Sequence, residues 1–449
     1  TGVYYFNPST GNDLNDGLSV NTALKTWNGI LEKTLPGDTI YIGATWSITD
    51  YMDIDGEGRV LKKLKTWAGN MIQISGTYNP NVSIKNLILD GNKLKDGDIA
   101  EGSWSTYLSG GYQINIVASC TLNLKNVVFR NNSYATGVLR TAVSNGDLTI
   151  NIVECEFLDN TSYSNGNWSS CISIDNANTN FEMNLFGCEF RRNQRIVTSY
   201  YYQTGTCLIL RGSSSTSKIT KVNFENCLMD NNEVYNSSNY TTYSKLVLFD
   251  LTSFGENEKA YFTFNNCDIT NNKDRTVLNK GQNGNEGSGL YVYSPNAYVE
   301  FNLIDVNYSN NFSFRNAVRF YGSAGKNIGK FNVENCNFIG NEYFNTMIFV
   351  YNKVETIISN CVFDQQLESW LIYFDSPTGC DITITDCEIY NTNSAIYTHN
   401  GARNVFLRNI KYVNSSIGEL SQTPTITGTL YLENIYAKGC QRIANAANI

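Results

Sequence analysis

The chain is poor in histidine, proline and charge. His399 is the single histidine among 449 residues. One histidine with no legible Ser/His/Asp order does not make a catalytic triad. No CxxC pair accompanies it, so a zinc site has no ligand set to start from. Six prolines and a wealth of β-branched and aromatic residues favour strand over helix and argue against disorder. Charged residues make up 16%, with a net charge of −8 and no long basic run. That balance disfavours nucleic acid as a partner and gives no general attraction for an anionic polysaccharide, leaving only a local basic groove open for one. The longest apolar runs, Thr346–Tyr351 and Trp370–Phe374, fall far below the roughly 20 residues needed to span a membrane as helix. No transmembrane segment is expected in this chain. It starts at Thr1 without an initiator Met, which leads us to expect a trimmed mature domain.

What is present is repetition. In Phe262-Thr263-Phe264-Asn265-Asn266-Cys267-Asp268-Ile269, apolar residues sit two apart, the phase slips by one, and apolar residues return two apart. A straight strand keeps a period of two, so the slip predicts a bend between Phe264 and Cys267 if all four face one core. Twelve copies follow this pattern, from Val82/Ile84/Leu87/Leu89 to Leu430/Leu432/Ile435/Ala437. Their spacing varies: Cys227 to Cys267 is 40 residues, Cys387 to Ile410 only 23. Units of this size stack because none can bury its apolar face alone. Each copy holds short strands and no helix, which excludes helical repeats; leucine-rich repeats and propellers need other frames. The pattern predicts an all-β fold, a single-stranded right-handed parallel β-helix of about 12–14 rungs at ~4.8 Å each, its hand following the rule for parallel crossovers. One domain is expected over 1–449: an N-terminal strand and capping helix in 1–45, rungs in 46–440 and a terminal piece in 441–449.

Of twelve cysteines, Cys155, Cys188, Cys227, Cys267, Cys336, Cys361 and Cys387 share one slot of the repeat. They read as small buried hydrophobes, with disulfides between neighbouring rungs left open. Three residues beyond the fourth apolar slot stand Asn92, Asn132, Asn160, Asn193, Asn232, Asn272, Asn311 and Asn341. An asparagine ladder bonding the backbone of adjacent turns is expected.

Ahead of the array, Val3–Phe6 reads as a strand, Gly11–Gly17 as a turn-rich loop, and Asn21–Thr34 as a helix with Ala23, Leu24, Trp27, Ile30 and Leu31 on one face and Asn21 as cap. Pro36-Gly37-Asp38 then leads into the strand Thr39–Ile42. Asn12, Asp13, Asn15 and Asp16 have a calcium-loop look, but the closing glutamate of an EF-hand is missing. A turn is the first reading, Ca²⁺ the second; no other cofactor is expected.

Tyr4-Tyr5-Phe6-Asn7-Pro8, the glycine loop, the helix and Pro36–Tyr41 together resemble the opening segment of secreted pectate-lyase-like right-handed parallel β-helix proteins. The resemblance covers about a tenth of the chain. It implies architecture, and occurs in polysaccharide lyases as well as in adhesin-like surface proteins. Copies such as Glu225-Asn226-Cys227-Leu228-Met229-Asp230-Asn231-Asn232 look like those of bacterial adhesin-like β-helix proteins.

The ladder and core slots are structural, so function is sought in the irregular parts. Loops carrying Tyr200, Tyr201, Tyr202, Tyr235, Tyr240 and Tyr243 offer aromatic faces and hydroxyls to a glycan or a protein. The strand after each loop is apolar on both faces, so its outer face is either covered or a binding strip. Late copies have shorter loops, which makes Arg319, Tyr321 and Phe374 the better candidates for exposure. Asp175, Arg211, Asp250, Asp375 and His399 end such strands. A glycosidase usually needs two carboxylates some 5–10 Å apart; the three aspartates are not on consecutive copies, and no catalytic set is named. The sequence thus favours a non-catalytic extracellular or cell-surface protein, bacterial and adhesin-like, with outer-membrane anchoring one route to the surface. It would bind carbohydrate or a surface protein. The alternative is a polysaccharide lyase or glycoside hydrolase.

Overall fold

The computed structural model describes residues 1–77, 79–93, 111–134, 137–163, 169–176, 180–197, 203–212, 218–236, 243–274, 287–312, 315–342, 346–364, 370–392, 394–399, 401–413, 419–423, 428–439 and 442–446. The chain divides into two compact units, Thr1–Leu210 with Asn232–Tyr240, and Arg211–Asn231 with Thr241–Ile449.

Each unit is a stretch of parallel β-helix. In the first, Cys120–Lys125, Leu148–Val153 and Phe181–Phe186 pair in parallel, with Leu122, Ile150 and Met183 in register. In the second, Lys259–Asn265, Tyr298–Ile304 and Gly329–Glu334 do the same through Phe262, Phe301 and Phe331. A second parallel stack runs through Ile72–Ile74, Ile114–Ile116, Leu139–Thr141 and Ile172–Asn176 in the first unit. Its counterpart in the second unit runs through Ser288–Tyr293, Asn316–Tyr321, Ile348–Tyr351, Trp370–Asp375 and Ser394–His399.

The expected bend has a backbone cause. The residue before each third apolar slot takes a left-handed conformation: Asn126, Glu154 and Gly187 in the first unit, Asn266, Asp305, Asn335 and Asp386 in the second. At Asn266 φ is 49°. Asn and Asp tolerate this region through local side-chain bonds. A second left-handed column precedes the ladder, at Asn131, Asp159, Arg192, Asn271 and Asn310. The strain therefore falls mostly on the residue before the ladder asparagine; Asn92 alone among the eight is itself left-handed.

The ladder forms in both units. Asn160, Asn193 and Asn232 donate from Nδ2 to the carbonyls of Phe129, Phe157 and Phe190. Asn272, Asn311 and Asn341 donate to those of Met229, Ile269 and Tyr308. Each acceptor belongs to the fourth apolar slot of the preceding rung. The oxygen of Asn311 accepts from both the backbone N–H and the Nδ2 of Asn272. Asn132 departs from the pattern and donates to Gly137.

Equal register puts like on like in the core. Phe157 stacks on Phe129 and Phe190 at 4.8 and 4.7 Å between centroids, and Phe224 on Phe264 at 4.5 Å. Such pairs add about 0.5–1.5 kcal/mol beyond area burial. The eleven described cysteines are buried and none is in a disulfide, and burial pushes the Cys155 thiol up to about 12. They act as the small apolar residues their slot requires.

Three expectations need correction. The helix is confined to Trp27–Lys33 and capped by Thr26, whose side chain accepts from the N–H of Gly29. Asn21 lies instead in the short 3₁₀ turn Val20–Thr22, and Leu24 bridges to Phe6 in extended form. The six residues Asn21–Thr26 thus lie outside the α-helix, because helical spacing alone does not see this bridge. Second, the last quartet is not buried: Leu432 is 42% exposed. Among the described residues Leu430–Lys438 pairs only with Asn404–Val413, which leaves its inward residues open to solvent on the other side. Third, Phe374 belongs to the core and not to the outer strip, as described next.

Candidate functional site

The second stack of the second unit has two outward rows. One comprises Leu248, Tyr291, Arg319, Phe349, Tyr373 and Tyr397; the other comprises Asp250, Tyr293, Tyr321, Tyr351, Asp375 and His399. Between them lies an inward row that includes Phe320, Val350 and Phe374, each at most 1% exposed. Phe374 is therefore no ligand contact. Its neighbours Tyr373 and Asp375 are the outward residues, because side chains alternate along a strand.

Exposure changes along the first row. Leu248 and Tyr291 are buried, whereas Arg319, Phe349, Tyr373 and Tyr397 are half-buried. The rows are ladders of rings one rung apart. Phe349 stacks on Tyr373 at 5.1 Å and Tyr373 on Tyr397 at 4.9 Å. The Arg319 guanidinium lies between the Tyr291 and Phe349 rings, 5.3 and 5.2 Å from their centroids. In the second row Tyr293, Tyr321 and Tyr351 follow at 4.6 and 4.7 Å.

This row changes character after Tyr351. The next rung carries Asp375 and the one after it His399, whose Nδ1 lies 3.1 Å from Asp375 Oδ1. Ser376 also donates its hydroxyl to that carboxylate. The imidazole leans on the Tyr397 ring at 6.2 Å and 18°. His399 is 43% exposed and Asp375 24% at the side chain, so both are reachable from solvent.

Burial and the neighbouring Asp375 and Tyr397 push the Tyr373 phenol up to about 12. Burial, Tyr321 and Asp250 raise that of Tyr293, against the opposing pull of Arg319. Both phenols keep their protons at neutral pH and can donate as well as accept. Because the rings lie against one another, the strip shows solvent mainly ring edges and hydroxyl tips.

Asp250 and Asp375 share a row four rungs apart, about 19 Å at ~4.8 Å per rung. That exceeds the roughly 5–10 Å of a glycosidase carboxylate pair. Asp175 stands on Ile172–Asn176 in the first unit and Arg211 on Gln203–Gly212. Tyr200, Tyr201, Tyr202 and Tyr240 lie outside the described residues, and the side chains of Tyr235 and Tyr243 do also.

In the N-terminal loop, Asp13 accepts from the N–H groups of Lys25 and Thr26 at 2.8 and 2.9 Å, and Asp16 from that of Leu18 at 3.0 Å. Their carboxylates organise turns. Among the described residues no group of three or more His, Cys, Asp or Glu side chains is placed to hold a metal ion. No helix of the described residues is long and apolar enough to cross a membrane.

Of the residues singled out from sequence, Arg319, Tyr321, Asp375 and His399 lie on these outward rows, together with Tyr293, Phe349, Tyr351, Tyr373 and Tyr397, which were not singled out. The signal for the missed residues was the set of charged positions. Arg319 and Asp375 on an otherwise apolar strand fix which face is outward, and Tyr321 and Tyr373 share that face by period two.

No family model and no curated protein matches this chain. Solved structures with some likeness include the A-module of mannuronan C-5 epimerase AlgE6 from Azotobacter vinelandii (TM-score 0.29, 10% identity, 91% of each chain covered). A rhamnogalacturonan lyase follows (0.23, 12%, 99% of this chain and 88% of that one). A third is the PL6 family alginate lyase AlyGC (0.18, 10%, 99% of each). At these values the likenesses carry no argument about function, and the parallel β-helix stands on the strand pairing itself.

Proposed function

We propose that the chain binds carbohydrate along the outward rows of the second unit. The observation behind this reading is the run of half-buried aromatic and hydroxyl-bearing side chains, repeated rung after rung from Arg319 to His399. Rigid tyrosines bring contact area and hydroxyl groups at little cost in side-chain entropy. An extracellular or cell-surface site of action belongs to the same proposal, and fractionation of the producing cells tests it. A glycan-array screen of the full chain tests the binding; an array without a hit contradicts it.

A second reading, a glycan-processing enzyme, has one specific observation in its favour. The Asp375–His399 contact orients an exposed imidazole on the strip, as a proton-transfer group requires. A depolymerisation assay on every glycan bound in the array separates the two. Product release that disappears in His399→Gln supports the enzyme; binding without products supports the non-catalytic protein.

A further inference from the structure

We infer that the ligand of this strip is an uncharged, extended glycan lying along the stacking direction, about one sugar per rung, with one sugar seated against Tyr351, Asp375 and His399. The inference rests on the carbohydrate reading above and adds the ligand's class, direction and register.

The direction follows from periodicity. Successive side chains of each row are related by one rung, with ring-to-ring spacings of 4.6–5.1 Å. Such a row repeats the same chemistry at a step close to the length one sugar adds to an extended glycan. A peptide fits less well. It rises about 3.3 Å per residue and falls out of step with the rows. It could instead join the sheet as a strand, but that needs an open edge. The strands Asn316–Tyr321, Ile348–Tyr351 and Trp370–Asp375 are each paired on both sides.

The seat follows from the break in the second row. Tyr351 stacks on Tyr321, and on its other side the row continues with the smaller Asp375 rather than a ring. A sugar can lay its C–H face on Tyr351 there. Asp375 accepts from hydroxyl groups and the imidazole closes the next rung. The row also meets a carboxylate at Asp250 beside Tyr293, but at Tyr351 the carboxylate is flanked by an exposed imidazole as well, which adds a second polar contact for the same sugar.

The class follows from charge. The rows carry two carboxylates, Asp250 and Asp375, and one guanidinium, Arg319. The guanidinium is engaged between two rings, and Asp375 stands at the seat itself. A polyuronate would place carboxylates beside Asp375, a like-charge contact that costs affinity. Phenols that keep their protons match hydroxyl groups instead.

The test is calorimetric titration of the full chain at about 0.15 M salt with oligosaccharides of two to eight sugars. The neutral ladders are β-1,4-glucan, β-1,4-mannan and β-1,3-glucan; the charged one is oligogalacturonate. A neutral ladder should bind, with affinity rising several-fold per added sugar up to about five sugars and then levelling. The uronates should bind at least tenfold more weakly. Tyr351→Ala should lose about tenfold on the long neutral oligomers. Tyr351→Phe, which keeps the stack, should lose far less. Asp375→Asn should weaken neutral binding and narrow the gap to the uronates. Tighter binding of uronates than of every neutral ladder overturns the class, and affinity independent of length overturns the alignment. Binding of neither ladder nor any array glycan overturns the carbohydrate reading as well. Matching thermal melts of the variants separate loss of the site from loss of the fold.

Discussion

The outward face of the second stack differs between the two units while the inward face does not. In the first unit its outward row is Ser47, Gln73, Asn115, Arg140 and Ser173. The corresponding row of the second unit has Arg319, Phe349, Tyr373 and Tyr397. Inward, both units bury aliphatic and aromatic residues, such as Ile72, Ile114 and Ile172 in one and Val318, Ile348 and Ile372 in the other. Packing constrains the inward face of every rung alike. The outward face is free to differ, and a row of half-buried aromatics there needs a reason other than folding.

Breaking the shared part should hurt both units equally. Asn311→Ala removes the acceptor of the Asn272 N–H and the donor to the Ile269 carbonyl, all within the core. Asn160→Ala does the same to the Asn132 N–H and the Phe129 carbonyl. Each should cost roughly 3–5 kcal/mol, since buried groups left unsatisfied cost about 1–3 kcal/mol apiece. Urea melts of the two variants should show similar losses; a large loss in one unit only would show that the ladders are not equivalent.

The units also differ in how they hold a buried lysine. Lys218 of the second unit lies 3.8 Å from Glu258 and over the Phe254 ring. Lys63 of the first is buried with its Nζ 5.6 Å from the Trp67 ring and no hydrogen-bond partner among the described residues. Glu258→Gln should therefore destabilise by about 3 kcal/mol, the scale for breaking a buried pair. Lys63→Met should stabilise at neutral pH. Burial lowers the Lys63 ammonium to about 8 from 10.5, so between those values the unfolded chain binds more protons than the folded one and stability rises with pH. The gain from Lys63→Met should be on the order of 3 kcal/mol at pH 7 and vanish above the unfolded value. Melts at pH 7 and pH 10.5 check the sign.

The smallest energy separates the outward faces. Tyr373→Ala should weaken glycan binding about tenfold, near 1.4 kcal/mol, while Gln73→Ala in the first unit should change it less than twofold. Equal losses would erase the distinction between the two faces.

How much of this was legible follows from what constrains each position. Phe262, Phe264, Cys267 and Ile269 could be assigned inward because a core accepts one phase only, and the slip at Asn266 had a single geometric reading. The ladder at Asn272 was legible for the same reason: it recurs at a fixed offset. The outer strip was not, because Leu371-Ile372-Tyr373-Phe374 is apolar throughout and alternation cannot choose its faces. Short loops in the late copies point to exposure without choosing a face, which puts the expected Phe374 one residue out of phase with the outward Tyr373. In the row of Leu248 and Tyr291 exposure begins at Arg319, whereas in the other row Asp250 and Tyr293 are already half-buried. The expected helix runs too far because Ala23 and Leu24 keep helical spacing, while Leu24 in fact bridges to Phe6 in extended form.

The central claim is that the outward rows of the second unit form the binding face. Its most direct test is titration of the best array glycan against wild type and the double variant Tyr351→Ala/Tyr373→Ala, with near-identical melting curves as the condition for comparison. The account predicts that the double variant loses at least 50-fold in affinity, the combined effect of two hot-spot residues at about tenfold each with some coupling between them. Wild-type affinity in a folded double variant would contradict it.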